Sequence, residues 1–115
     1  MTEKPTSKAS APHYVWGGDC DGWRLVDRQD LSVIHERMPA GRQEVRHVHA
    51  KARQFFFVLS GALTLEVEGE RHVLTAGVGL EIAPGLAHQA INAAPEWVEF
   101  LVISQPTTQG DREPA

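Results

Sequence analysis

Cysteine is scarce in this sequence, since Cys20 is the only one among 115 residues. A single cysteine cannot form a disulfide within the chain, and such scarcity is typical of proteins in a reducing compartment. Long hydrophobic runs are absent too, because no stretch approaches the ~18 apolar residues that cross a bilayer. Residues 1–12 also lack the apolar run of a signal peptide. We therefore expect a cytoplasmic protein with no membrane partner.

Basic residues are fewer than acidic residues in this sequence. The chain has 11 Lys and Arg residues against 15 Asp and Glu residues, which gives a formal net charge of −4. The basic residues are scattered singly along the sequence rather than clustered. Because a nucleic-acid partner requires a basic patch that neutralises phosphates, we expect no such partner.

Helical periodicity is missing from the whole chain. Short β-rich runs alternate instead with Gly, Pro and Asp, a pattern typical of an antiparallel sandwich or barrel. The sequence thus predicts an all-β fold, with a disordered arm over 1–12, one barrel domain over 13–105 and a flexible tail over 106–115. The predicted strands are 23–26, 31–38, 45–49, 54–59, 62–68, 71–75, 78–82, 88–92 and 97–104.

Three histidines have the spacing of metal ligands. His47 and His49 are two residues apart, so in a strand both imidazoles project from the same face. His88 follows a Pro-Gly turn at the start of another predicted strand, where a third imidazole could converge. Gln54 begins the strand after the pair and could add an oxygen ligand, or bond to a ligand or water instead. The pattern predicts one bound divalent ion (Fe, Mn, Ni, Zn or Cu). The alternative interpretation is a polar pocket that binds no metal.

Two sequence blocks resemble the motifs of the cupin superfamily. The first block is matched by Gly41, His47, His49 and Gly61, with Gln54 where a Glu is usual. The second block is matched by Gly77, Gly85, His88 and Asn92, with Ala83 in place of a Pro. The resemblance implies an antiparallel double-stranded β-helix, also called a jelly-roll barrel, with the metal inside it. It implies that His47, His49, Gln54 and His88 are the metal ligands.

Strand alternation indicates which other side chains face the barrel interior. The residues expected to line the pocket are Met38, Phe56, Val58, Phe100 and Val102. Such an apolar wall would suit an aromatic or otherwise apolar ligand. Glu36 is a candidate for a general base, with a solvated or ion-paired role as the simpler interpretation. Glu44 is out of phase with the histidine pair and is expected to face away.

The remaining histidines and the cysteine have simpler interpretations. His13, His35 and His72 are expected to be surface or hydrogen-bonded core residues, with His35 facing outward. Cys20 is expected to be a structural thiol in a loop.

The run of three phenylalanines predicts an interface. With Gln54 inward, Phe55 and Phe57 face outward, and exposed aromatic area is unfavourable in water. We therefore expect a homodimer.

Two functional hypotheses follow from the resemblance. The first is a metal-dependent enzyme on a small organic substrate, similar to cupin dioxygenases, isomerases or cyclases. The second is a barrel that binds or senses a small molecule without turnover. A metal position open to substrate together with a titratable side chain would favour the enzyme.

Overall fold

The computed structural model describes residues 3–115, and all regular elements of this part of the chain are strands. Eleven strands follow one another: β1 (His13–Trp16), β2 (Cys20–Asp27), β3 (Ser32–Met38), β4 (His47–Val48), β5 (Arg53–Ser60), β6 (Ala62–Val67), β7 (Glu70–Thr75), β8 (Gly79–Ile82), β9 (His88–Ile91), β10 (Val98–Gln105) and β11 (Glu113–Pro114). No helix in this range is long and apolar enough to span a membrane.

The strands form two antiparallel sheets that face each other. The larger sheet has the order β1-β2-β3-β10-β5-β8, and the smaller has the order β11-β4-β9-β6-β7. Strands distant in sequence are neighbours in both sheets, as when β10 lies between β3 and β5. This is the predicted double-stranded β-helix, and the all-β fold class is confirmed.

The hydrophobic core lies between the two sheets. Phe100, Met38 and Val58 enter it from the larger sheet, while Leu63 and Leu65 enter from the smaller one, and all five are fully buried. Burial of apolar area at about 25 cal/mol per Å² is the main force that holds such sheets together.

Strand β10 alternates strictly between the core and the outside. Val98, Phe100 and Val102 are buried, so the prediction that this apolar set faces inward is confirmed. Ser104 continues the inward series at the end of the strand and pairs in register with Gln54 of β5.

Two tight turns depend on residues with positive φ. Glu68 (φ 50°) and Gly69 (φ 87°) connect β6 to β7, and positive φ at both central residues defines a type I′ hairpin turn. Gly61 (φ 79°) connects β5 to β6, where an added Cβ would lie 2.5 Å from the carbonyl oxygen of Trp97. Both the backbone angle and the close approach therefore require glycine at position 61.

Two short strands of the structure are not among the strands that the sequence predicts. Strand β1 pairs with β2 in register from His13 opposite Trp23, an element that the sequence analysis did not predict. In the segment 106–115, for which a flexible tail is predicted, Glu113 lies opposite Val48 in the β11–β4 ladder. Backbone pairing and the carboxylate of Asp111 hold this segment in place. Neither feature leaves a hydrophobic pattern in the sequence, so the pattern could not reveal the strand.

Cys20 occupies the first position of β2 and is buried, so the predicted loop placement is wrong. Burial, with a further contribution from the charges of Asp19 and Glu36, raises the pKa of the thiol to about 11. Because the thiolate is the reactive form, a thiol that stays protonated at neutral pH fits a structural role.

The outer face of the larger sheet carries the predicted aromatic pair. The rings of Phe55 and Phe57 stack with their centroids 6.2 Å apart. Phe55 remains 38% exposed in the single chain.

Candidate metal centre

Three imidazoles converge at one end of the smaller sheet. His47 on β4 pairs in register with His88 on β9, and His49 follows immediately after β4. The ring centroid of His47 lies 4.7 Å from that of His49 and 4.5 Å from that of His88. One ring nitrogen from each histidine lies within 4.8 Å of the others, and all three side chains are buried.

The backbone fixes the tautomer of each imidazole. Nδ1 of His47 bonds to the carbonyl oxygen of Val45 at 2.6 Å, and Nδ1 of His88 bonds to that of Leu86 at 3.0 Å. Nδ1 of His49 bonds to the carbonyl oxygen of Asp111. Because a carbonyl oxygen can only accept, each Nδ1 must carry the proton, and each Nε2 keeps its lone pair for a metal ion.

Burial lowers the pKa values of two of these imidazoles, those of His47 and His88. Desolvation is the main reason that the pKa of His47 falls to about 4, with Arg112 and the neighbouring imidazoles adding to the effect. Burial also lowers the pKa of His88. Since metal ligation requires the neutral imidazole, the lowered pKa values of His47 and His88 favour metal binding.

Gln54 presents an oxygen that has no partner within the chain. Its Nε2 donates a hydrogen bond to Oγ of Ser104 at 3.1 Å, which fixes the orientation of the buried amide. Its Oε1 is buried and accepts no hydrogen bond, and Nε2 of His88 is likewise buried without a partner. An unsatisfied buried polar atom costs about 1–3 kcal/mol, and two such lone-pair donors together fit a shared cation.

The four predicted ligands therefore fit a divalent metal ion. Three Nε2 atoms and one amide oxygen are neutral donors that suit Fe, Mn, Ni, Zn or Cu. Because none of these ligands is charged, the site would leave the full charge of the ion available to a substrate.

Asp111 is a site residue that the sequence analysis missed. Its carboxylate accepts hydrogen bonds from the backbone N–H groups of Ala50 at 2.9 Å, Lys51 at 3.0 Å and Ala52 at 2.9 Å. Burial opposes ionisation, but these three donors outweigh it and lower the pKa of the carboxyl. The same residue's carbonyl holds the imidazole of His49, so the segment 106–115 forms part of the site.

A cavity of about 430 Å³ opens onto the cluster. His47, His49 and Gln54 line it together with Phe56 and Val102, two of the residues predicted to do so. The rest of its wall mixes polar and apolar residues, and comprises Tyr14, Trp16, Gly17, Arg24, Ile34, Glu36, Gln43, Glu44, Val45, Ser104, Thr108, Gln109 and Arg112. Charged and polar groups therefore accompany the apolar side chains that the sequence predicted for this wall.

Three residues predicted to line the pocket lie elsewhere. Met38, Val58 and Phe100 are fully buried in the core and do not reach the cavity. Alternation identifies the face of a strand that points inward but carries no information on depth along the barrel. The inward positions nearer the mouth, such as Val102 and Ser104 on β10, line the cavity instead.

Glu36 and Glu44 both line this cavity. Burial, reinforced by the charge of Glu44, raises the pKa of Glu36 to about 8. Burial also raises the pKa of Glu44 to about 7, although the N–H of Ala90 bonds to its carboxylate at 2.9 Å and opposes the rise.

The prediction that Glu44 faces away from the site is wrong. It assumed that a strand runs unbroken from residue 45 to 49, whereas β4 begins only at His47. Gln43 forms an isolated bridge with Ile91, and the backbone between this bridge and β4 is irregular. The period-2 alternation therefore does not extend back from His47 to Glu44.

The other three histidines lie outside the cluster, each beside a carboxylate. His13 contacts Asp21 at 2.8 Å, and His35 contacts Glu99 at 2.7 Å on the outer face of the larger sheet. His72 on β7 lies 3.7 Å from the carboxylate of its near neighbour Glu70. These placements agree with the simpler interpretation given to all three.

Fold and site together define a class of protein: a small double-stranded β-helix whose mouth presents three converging imidazoles. The sequence profile of the cupin domain matches residues 34–104, and the chain belongs to the cupin family. No curated protein matches the sequence.

Several solved structures share this fold over most of their length. KdgF from a Halomonas species is 19% identical with a TM-score of 0.82, covering 92% of this chain and 96% of that one. An uncharacterised double-stranded β-helix protein from Klebsiella pneumoniae is 22% identical with a TM-score of 0.82, covering 99% and 98%. A sugar phosphate isomerase of the cupin superfamily from Silicibacter pomeroyi is 22% identical with a TM-score of 0.78, covering 90% and 76%. At identities this low the likeness concerns the fold alone.

Proposed function

We propose that this cupin is a metal-dependent enzyme that transfers protons on a small organic substrate, as an isomerase or cyclase does. His47, His49, Gln54 and His88 hold one divalent ion, while Glu36 and Glu44 exchange protons with the substrate. The observation that carries the proposal is that two carboxyl groups with raised pKa values, those of Glu36 and Glu44, line the same cavity as His47 and His49.

The metal contributes one part of this chemistry. When bound, a divalent ion polarises a carbonyl or hydroxyl oxygen of the substrate and makes the neighbouring C–H or O–H more acidic. His47 and His49 line the cavity, so a substrate there could reach the ion that they hold, as a catalytic metal site requires.

The two carboxyl groups have pKa values suited to proton transfer near neutral pH. Glu36, with a pKa of about 8, is mostly protonated at pH 7 and can act as the acid. Glu44, with a pKa of about 7, is partly ionised and can act as the base. A pair of carboxyls whose environments separate their pKa values is a common acid–base arrangement.

The position of Glu44 also favours this role. The backbone N–H of Ala90 holds one carboxyl oxygen of Glu44, Oε1, at 2.9 Å. This bond fixes the side chain on the cavity wall and leaves the second oxygen to accept or release a proton. A dioxygenase-like reaction does not need such a pair, so we favour proton transfer over oxygen chemistry.

The first test is metal content, measured by mass spectrometry on protein purified without a histidine tag. We expect about one equivalent of a transition metal, and none in the double variant His47→Ala/His49→Ala. Absence of metal even after reconstitution would contradict the metal centre and favour a metal-free binding barrel.

The second test separates an enzyme from a binding barrel. Metal-loaded protein in D₂O is incubated with a panel of small hydroxy ketones and keto acids, and exchange at the carbon beside the carbonyl is followed by NMR. We expect exchange that Glu36→Gln and Glu44→Gln each reduce about 100-fold, in the range of general acid–base catalysis. Glu70→Gln on exposed β7 is the matched control. Binding without exchange of any panel member would support the sensing role.

The cellular location and the assembly stay predictions. The single buried thiol of Cys20 is compatible with the reducing cytoplasm that the scarcity of cysteine predicts. A homodimer through the outer face of the larger sheet is the assembly that we propose.

A further inference from the structure

Most arginines of the described chain are neutralised by a carboxylate. Five of them form ion pairs: Arg28–Glu3, Arg37–Asp21, Arg42–Asp19, Arg46–Glu66 and Arg53–Glu81. Within residues 3–115, Arg24, Arg71 and Arg112 form no ion pair. Arg71 lies on β7 outside the cavity, whereas the half-buried Arg24 and the exposed Arg112 both line the cavity beside the histidine cluster.

Arg24 is held against an aromatic ring. Its guanidinium carbon lies 4.5 Å from the ring centroid of Tyr14, a geometry typical of a cation–π contact. Tyr14 is itself part of the cavity wall. Stacking on a ring uses the flat face of the guanidinium and leaves its N–H donors available at the edge.

Arg112 is fixed through its backbone on both sides. Asp111 precedes it and anchors the chain on the N–H groups of residues 50–52. Glu113 follows it and pairs with Val48 in the β11–β4 ladder. The guanidinium makes one long contact, 3.5 Å, with the carbonyl oxygen of Val45. Its remaining donors have no protein acceptor among the described residues.

The charges that face the cavity do not balance at neutral pH. Glu36 and Glu44 are the only carboxylates on the described wall, and neither forms an ion pair with Arg24 or Arg112. Because burial raises the pKa of both carboxyl groups, they carry less than two negative charges at pH 7. The two guanidinium charges therefore exceed the negative charge of the carboxyl groups on the wall.

We infer that this cavity binds a small organic oxyanion, a carboxylate or phosphate group that Arg24 and Arg112 hold together. The guanidinium fork matches the two oxygens of such a group, and the bonds are charge-assisted. A volume of about 430 Å³ suits a small ligand whose other end reaches the histidines. That second contact rests on the proposed function, while the oxyanion contact does not.

Anion binding to metal-free protein tests the inference, because the metal then contributes nothing. Isothermal titration calorimetry at pH 7 and low salt uses malonate and inorganic phosphate as probes, with malonamide as the neutral analogue of malonate. We expect at least one of the two anions to bind and malonamide not to bind. Comparison of malonate with phosphate shows which oxyanion the site prefers.

Variants then assign the site to its two arginines. Arg24→Gln and Arg112→Gln should each weaken anion binding about 10-fold, the loss expected for one charge-assisted contact. Arg71→Gln removes the same charge outside the cavity and should leave binding unchanged. Arg24→Lys keeps the charge without the fork and should give an intermediate loss, while circular dichroism checks that each variant is folded.

The outcomes separate this inference from the proposed function. Failure of both anions to bind the wild-type protein, or equal binding by the wild type and both cavity variants, overturns the inference. Metal content is measured on the same preparations, where Arg24→Gln and Arg112→Gln should retain the wild-type amount. Anion binding by a wild-type protein that takes up no metal would contradict the proposed function and support the oxyanion site.

Discussion

The imidazole Nδ1 of His49 donates a hydrogen bond to the backbone carbonyl oxygen of Asp111, 62 positions further along the chain. The Asp111 carboxylate meanwhile accepts three backbone hydrogen bonds from the loop that follows His49. One residue near the end of the chain thus orients a predicted metal ligand and fixes the loop beside it. The segment that contains Asp111 therefore takes part in the candidate site.

Asp111→Ala should weaken metal binding by about 10-fold, the lower end of the range for groups that orient ligands. The substitution leaves three backbone N–H groups without their acceptor and frees the carbonyl that holds His49. Competition titration of Zn²⁺ against a chromogenic chelator measures the change. Asp111→Asn keeps an oxygen acceptor and should recover part of the affinity.

The control for this prediction is Asp30→Ala, which removes an exposed carboxylate that makes no side-chain hydrogen bond in the described chain. Its Zn²⁺ affinity should equal that of the wild type. Unchanged affinity in Asp111→Ala as well would contradict a positioning role for the segment 106–115.

Gln54→Glu should tighten metal retention. A carboxylate neutralises one unit of the ion's charge, whereas the amide oxygen of Gln54 neutralises none. Oγ of Ser104, which now accepts from the amide at 3.1 Å, can turn and donate to the new carboxylate. The rate of metal loss to excess chelator should fall about 10-fold, by analogy with other changes near a metal.

Gln29→Glu provides the same change of charge at an exposed position and should retain metal as the wild type does. Equal metal loss by Gln54→Glu and the wild type would show that the Gln54 side chain is not a ligand. Its unpaired Oε1 would then need a water or a substrate group as its partner.

The fold and the histidine cluster follow from local patterns in the sequence. Period-2 alternation along β10 separates Val98, Phe100 and Val102 from their outward neighbours, and the structure confirms this face. The i, i+2 spacing of His47 and His49 places both imidazoles on one side of β4. Such features depend on a few consecutive residues, which is why the sequence alone reveals them.

Other features of the site depend on contacts between distant segments or on irregular backbone. Asp111 carries no signal in its own neighbourhood, because its role arises only when β11 pairs with β4. Glu44 lies before β4 in a segment without regular alternation, so its direction could not be extrapolated from His47. Phe100 faces inward as predicted, yet its depth along the barrel removes it from the cavity wall.

The outer face of the larger sheet should form a homodimer interface. Phe55 is 38% exposed in the single chain, and its stacked neighbour Phe57 lies on the same face. Light scattering at micromolar concentration should give twice the chain mass of 12.7 kDa. Phe55→Ser should shift the protein toward monomer, because it removes apolar area from the centre of the contact.

Val73→Ser on the smaller sheet is the matched control for the dimer. Val73 is 68% exposed but lies on β7, away from the aromatic pair, so its replacement should leave the assembly unchanged. A monomeric wild-type protein at micromolar concentration would contradict the interface.

The stability of the metal-free protein should depend on the protonation of Glu36. Its pKa is raised from an ordinary value of 4.5 to about 8 by burial and by the charge of Glu44, so the folded state binds its proton more tightly than the unfolded state does. This contribution to stability is fully present below pH 4.5 and is lost as the pH rises through 8.

Glu36→Gln has no proton to lose, so relative to the wild type it should gain stability at pH 8–9 and little at pH 5. Since each unit of pKa difference corresponds to about 1.4 kcal/mol, the gain is on the order of 1–3 kcal/mol after allowance for partial solvation in the cavity. Urea unfolding at both pH values measures it, with exposed Glu70→Gln as the control. An equal effect of Glu36→Gln at both pH values would show that the carboxyl is not held in its protonated form.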